Sequence, residues 1–197
     1  MGRVNEKYRE EAKERIITAA IEVAVERGWE SMTLEAIAQK VGVTIPALYS
    51  YFKNRDALED EVVLKVREDY QAEIEKTLGS SGNIRQIMED YACLIFVHHT
   101  RYANLITHLP PRLIQDPKQR DKILSFYITT LQIIHDCLAR AQSRGEIPKN
   151  VDLDGATRMI NAITFGLQIS VLFLGTTDIE AEKKNWLVAV ERLLLLG

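Results

Sequence analysis

Apolar residues recur along nearly the whole chain at spacings of three and four, and no run alternates with period two over a strand's length. That pattern predicts an all-α protein of about nine helices. Over 6–27, Ile16, Ala20, Val23 and Ala24 form one stripe while Glu10, Glu14, Glu22 and Glu26 lie away from it. Gly28 then ends the helix as a left-handed cap. Thr33 reads as the N-cap of a short second helix with Leu34, Ile37, Ala38 and Val41 turned inward, and Gly42 breaks it. Thr44 caps a third helix running to about residue 52, with Pro46 in the first turn, where a missing N–H is harmless. Asn54 caps a long helix over about 55–78.

The segment Leu78-Gly79-Ser80-Ser81-Gly82 reads as a linker. An apolar helix follows to about residue 108, then the breaker Pro110-Pro111 and a turn ended by Asp116-Pro117. Further helices are expected over 118–144, over 152 to about 174, and over 178–196. The stretch 159–177 carries no charge and nearly matches a bilayer in length. Its Asn161, Thr164, Gln168 and Ser170 would be costly against lipid, so it reads as a helix buried among helices, with no membrane partner.

Composition narrows the class further. The chain has 197 residues, 46% hydrophobic and 27% charged, which suits a globular protein and excludes collagen-like, disordered and disulfide-scaffold classes. Cys93 and Cys137 lack the spacing of a zinc site or redox pair and read as buried reduced thiols of a cytoplasmic protein. The N-terminus is too charged for a secretory signal. Net charge is −3, which on its face argues against nucleic acid. Its distribution permits it: residues 1–55 hold nine basic and eight acidic side chains, and the remainder holds sixteen and twenty.

The most informative stretch is TLEAIAQKVGVTIPALYSYFKNR over 33–55. Two short capped helices joined by a tight glycine turn, after a longer amphipathic helix, describe a helix-turn-helix module. Small Ala38 lets the two helices cross closely, and Val43, Ala47 and Leu48 anchor the second one inward. The outward positions are then Thr44, Ile45, Pro46, Tyr49 and Ser50, an exposed face of little charge suited to base edges in a major groove. Ile45 and Pro46 suit thymine methyls, while Tyr49, Tyr51 and Lys53 are placed for phosphates. Arg55 flanks the same helix, and Arg3 and Lys7 stand in the N-terminal arm.

With Gly28-Trp29, Thr33, Ile37-Ala38, Val41-Gly42-Val43 and the run from Leu48 to Arg55, the chain resembles the TetR family of transcriptional regulators over roughly its first sixty residues. The resemblance implies a DNA-binding domain over 1–54 and a ligand-binding and dimerisation bundle over 55–197. It implies a homodimer on a near-palindromic double-stranded operator, a small-molecule effector, and a phosphate contact at Thr33. Tyr51 stands where the family often has His, keeping a donor without a titratable charge. Glu35, where some members place a basic reader, is read here as complementing the helix dipole.

Beyond residue 83 the polar positions guide the reading. Asn161, Thr164 and Gln168 share one face of an apolar helix, and buried amides need partners. Candidate effector contacts are Tyr91, Phe96, His99 and Tyr102 on one helix, Phe126, Tyr127, Thr130 and Ile134 on the next, and Asn161, Phe165 and Gln168 on a third. Together they suit a largely apolar ligand, and with only Arg101 among them a multiply charged one is not expected. Ala162, Gly166 and Ser170 form a small-residue stripe, matched by Trp186, Val190, Leu193 and Leu194 on the last helix. These are read as the dimer interface, although the stripes alone fit intramolecular packing as well. His98, His99, His108 and His135 lack the i, i+4 spacing that clamps a metal, so no metal or cofactor is expected. No nucleophile elbow, P-loop or dinucleotide fingerprint occurs, so no enzyme is expected. The expected function is a homodimeric, ligand-responsive repressor in which the helix from Arg55 links module to bundle. The alternatives are a DNA-binding regulator with a closed core that answers to a protein partner, and a helical small-molecule-binding protein.

Overall fold

The structure, a computed structural model, describes residues 2–107, 117–174 and 178–196, with side chains described for 6–96, 117, 120–168, 170 and 178–196. All regular elements among them are helical: α1 Gly2–Arg27, α2 Leu34–Val41, α3 Ile45–Tyr49, α4 Arg55–Leu78, α5 Ile84–Thr107, α6 Pro117–Ser143, α7 Leu153–Leu174 and α8 Ile179–Leu193. A single 3-10 turn, Trp29–Ser31, joins α1 to the segment before α2. None of the described helices is long and apolar enough to cross a membrane.

The caps explain most of the boundaries. Thr33 Oγ1 accepts from the Ala36 amide and Asn54 Oδ1 from the Ala57 amide, each satisfying a donor that the first helical turn leaves open. Gly42 adopts φ 78° and ψ 36°, the left-handed conformation in which its amide bonds back to the Ala38 carbonyl. Two expected caps differ. Gly28 has positive φ but ψ 165°, so the chain leaves α1 extended rather than in a left-handed cap. Thr44 makes no side-chain cap, and α3 stops at Tyr49 rather than near residue 52.

The described residues group into two compact units, one within Met1–Asp69 and Arg101–Gln119, the other within Tyr70–Thr100 and Arg120–Gly197. This departs from the expected division at 54/55. Leu58, Val62, Val63 and Val66 of α4 are buried in the same core as Ile16, Ala20, Val23, Trp29, Ile37, Leu48 and Phe52, so the first half of α4 completes the N-terminal unit.

The second unit is built around Tyr91, Ile95, Ile134, Leu138, Ile160, Trp186 and Val190. The Tyr91 and Trp186 rings meet edge to face at 5.8 Å. The Trp186 indole N–H donates to Thr164 Oγ1 at 2.8 Å, and that hydroxyl donates to the Ile160 carbonyl, so a buried polar pair is satisfied inside the core. Trp186, Val190 and Leu194 are all wholly buried in this protomer. They are therefore not the exposed edge expected of the last helix, because this rotation of α8 buries the indole against Tyr91.

The cysteines also part company. Cys137 is buried, which pushes its thiol up to about 11, whereas Cys93 is exposed rather than buried as expected. In the native protein an aromatic disulfide reagent should titrate one thiol, and both after denaturation; two fast thiols would contradict the core around Cys137. Thr164→Val should cost about 1–3 kcal/mol in denaturant unfolding, because it leaves the indole N–H unpaired; unchanged stability would remove that bond from the core.

Candidate nucleic-acid interface

The interface follows from what holds α3. Leu48 is fully buried, and the Tyr51 and Phe52 amides bond to its carbonyl, so the chain past α3 is fixed on the core side. The opposite side is left to solvent: Thr44, Pro46, Tyr49 and Ser50 are exposed, Tyr49 to 53%. A tyrosine ring so exposed is costly to hydrate and free to meet another surface.

Not all expected readers stand on that face. Ile45 and Tyr51 are half-buried and pack against the module's core, so each offers an edge rather than a whole side chain. Val43, expected to anchor inward, is exposed instead. The Ser50 hydroxyl donates to the Ala47 carbonyl at 2.6 Å, and the Ser50 carbonyl accepts from Arg9 Nη2 at 3.1 Å. Arg9 was missed in the sequence; it lies 41 positions away, and no local pattern pairs it with α3.

Electrostatics separates the cations. Lys40 lies 3.0 Å from Glu22 and 3.1 Å from Glu26, whose hydrogen bonds raise its pKa. Lys13 pairs with Glu61 at 2.8 Å, its ammonium 5.9 Å from the Phe52 ring centre. Arg55 Nε donates to buried Glu59 at 2.8 Å and Nη2 to the Trp29 carbonyl at 3.4 Å, which ties it to the module's own core. Lys53 is exposed, and no ion pair among the described residues involves it. Thr33 is half-buried with its hydroxyl oxygen on the Ala36 amide, at the N-terminus of α2, where amides and dipole favour a phosphate. Glu35 is exposed in the first turn of α2.

The expected effector contacts fall into different surroundings. Tyr91, Phe96 and Ile134 are closed in the second unit's core, and buried Thr130 donates to the Phe126 carbonyl. Tyr127 and Phe165 face solvent, 46% and 63% exposed. Phe126, Asn161 and Gln168 are half-buried. Phe126 stacks on Tyr70 at 6.2 Å, and Gln168 hydrogen-bonds the Tyr70 side chain, whose burial pushes the phenol up to about 12. Tyr70 went unnoticed in the sequence, although the i+4 series Val66, Tyr70, Ile74, Leu78 marks it as a polar-tipped ring on a core stripe. The side chains of His99 and Tyr102, like those of His98 and His108, lie outside the described residues.

Of the expected dimer residues, Ala162 and Gly166 are exposed on α7, flanked by exposed Met159 and Phe165, and Ser170 and Leu193 are half-buried. A Cβ built at Gly166 would meet nothing within 4 Å, so no close helix approach in this protomer requires a glycine there. Among the described residues no cluster of metal-ligating side chains occurs.

Residues 16–62 match the family model described as bacterial regulatory proteins, tetR family. The chain is 27% identical over 170 residues to the HTH-type transcriptional regulator SrpR of Pseudomonas putida, spanning 85% of this chain and 78% of that protein. It is 29% identical over 150 residues to the fatty acid metabolism regulator protein of Bacillus subtilis, spanning 74% and 75%. In fold it is similar to the crystal structure of a transcriptional regulator from Cytophaga hutchinsonii, with TM-score 0.76 at 20% identity over 92% of this chain and 96% of that one. The matched segment is the one in which Thr33, Gly42 and Leu48 build the outward face of α3. The chain thus resembles the TetR family of bacterial regulatory proteins, through residues 16–62 and through relatives over most of its length that are transcriptional regulators.

Proposed function

We propose that the chain acts as a homodimeric repressor of a near-palindromic operator, released by a small, largely apolar effector. The carrying observation is the outward face of α3, where Thr44, Pro46, Tyr49 and Ser50 are exposed while Leu48 is locked in the core. Two such helices about one DNA turn apart would enter successive major grooves. Lys53 and the start of α2 at Thr33 supply phosphate contacts, and Ile45 and Tyr51 contribute from their half-buried positions. Arg55 is assigned to holding the module together, through Glu59 and Trp29.

The dimer contact is placed on the exposed stripe of α7, Met159, Ala162, Phe165 and Gly166, with Ser170 and half-buried Leu193 at its margin. An exposed phenylalanine beside a glycine with nothing packed on it is the surface a second copy would cover. The effector contacts that remain are the half-buried Phe126, Asn161 and Gln168, together with Tyr70. The fatty-acid role in the name of the Bacillus subtilis relative supports an apolar effector class. Effector binding that lowers operator affinity must, by linkage, be weakened by operator to the same factor. The closed packing of Tyr91, Phe96 and Ile134 favours a second reading, in which the core takes no ligand and a protein partner sets the regulator's state.

Duplexes selected from a random pool by the full-length protein should converge on an inverted repeat bound by two chains, read by sedimentation. Failure to enrich any repeat would overturn the proposal. Tyr49→Ala and Lys53→Ala should each weaken that complex, and the lysine change should flatten the salt dependence by about one unit of slope. Arg55→Ala should leave the slope alone and instead cost about 1–3 kcal/mol of stability, because it removes a charge-assisted bond to buried Glu59. A flattened slope for Arg55→Ala would return that side chain to the phosphates.

A further inference from the structure

Arg9 lies on α1, and its side chain is exposed. Its Nη2 donates to the Ser50 carbonyl at 3.1 Å, 41 positions on in the chain. Ser50 is the C-cap of α3, so that oxygen belongs to the end of the helix, where carbonyls lack partners within it. One turn further along α1, Lys13 reaches Glu61 and the Phe52 ring, so the same stripe of α1 runs beside the chain that leaves α3. Charge separates the two contacts. Lys13 is paired with Glu61, as Lys40 is with Glu22 and Glu26 and Arg55 with Glu59. No ion pair among the described residues involves Arg9, Glu6 three positions back included. A carbonyl takes one donor of a guanidinium fork and neutralises none of its charge. The carbonyl that Arg9 holds follows exposed Tyr49 directly and precedes exposed Lys53 by three residues. A full positive charge with donors to spare therefore stands at the end of the helix that carries the outward face.

We infer that Arg9 is a positioning residue of the DNA interface that also binds its backbone: it holds the end of α3 through the Ser50 carbonyl and gives its free donors to the operator phosphate beside α3. The inference deepens the DNA-binding reading above and rests on it. A guanidinium suits both tasks at once, because its planar fork can bond a carbonyl with one N–H and a phosphate with others. An ammonium is a point charge without that fork. In the sequence Arg9 looks like any surface cation, standing among Glu6, Glu10 and Glu11. Only the approach of α1 to the end of α3 sets it apart.

The test compares R9Q, R9K and R9A with the wild type, each as full-length protein titrated against the selected operator duplex over a range of salt. R9Q keeps an N–H donor for the Ser50 carbonyl but carries no charge. It should weaken the complex by about tenfold or more and flatten the salt dependence by about one unit of slope per bound chain. R9K keeps the charge and loses the fork, so its slope should match the wild type while its affinity falls. R9A loses both; in the free protein, amide exchange over 50–52 should quicken in R9A and stay near wild type in R9Q. A wild-type slope in R9Q would remove Arg9 from the phosphates, and unchanged exchange in R9A would remove its hold on α3. R9K binding as tightly as the wild type would show that the fork is not used. Each of these results overturns the inference. If Tyr49→Ala and Lys53→Ala weaken the complex while R9Q does not, only the role of Arg9 fails, whereas wild-type protein that selects no duplex refutes the DNA-binding reading itself.

Discussion

A helix of five residues has no stability of its own, because the cost of ordering its first turn exceeds what its few hydrogen bonds return. The interface nevertheless depends on α3, so α3 must be held from outside. Leu48 supplies the hold from below, Gly42 sets the angle of entry, and the chain past Tyr49 is pinned by two amides on the Leu48 carbonyl. Arg9 adds a clamp from α1 at the Ser50 carbonyl. Residues needed for packing and residues free to meet DNA are thereby separated by helix face, and Tyr49 can be exposed while its neighbour is fully buried.

The same constraint explains why the module extends past its motif. Leu48 and Phe52 need a lid, and Leu58, Val62 and Val63 of α4 provide it. The pattern of caps and breakers stopped the module at residue 54, because Asn54 begins a helix and local chemistry says nothing about where that helix packs. Buried Glu59 belongs to this arrangement as well, receiving Arg55, which in turn reaches the Trp29 carbonyl.

What could be read beforehand was whatever chemistry is local. Thr33, Gly42 and Asn54 act within four residues of themselves, so their roles follow from spacing alone. What could not be read was rotation and partnership. Trp186, Val190 and Leu194 form an apolar edge that fits a partner or a core equally well, and only the Thr164 hydroxyl and the Tyr91 ring decide for the core. Arg55 is expected at a phosphate because it flanks the motif; its i+4 pair with Glu59 is local, but the burial of Glu59 and the reach of the guanidinium to the Trp29 carbonyl are not. The candidate effector positions of the bundle share a helical period without sharing a surrounding: Ile134 is fully buried and Phe165 is exposed. The charge reading sharpened in the same way. Lys13, Lys40 and Arg55 are already paired to acids, whereas Lys53 is exposed and in no ion pair among the described residues.

The central claim is that the outward face of α3, held by Leu48, is the surface that meets DNA. Amide hydrogen exchange of the full-length protein, with and without a selected duplex, tests it most directly. Protection gained on binding should concentrate at the start of α2 around Thr33 and through 44–53, with the Leu48 and Phe52 amides already slow in the free protein. Protection confined to helices outside the module, or fast exchange at Leu48 before DNA is added, would contradict it.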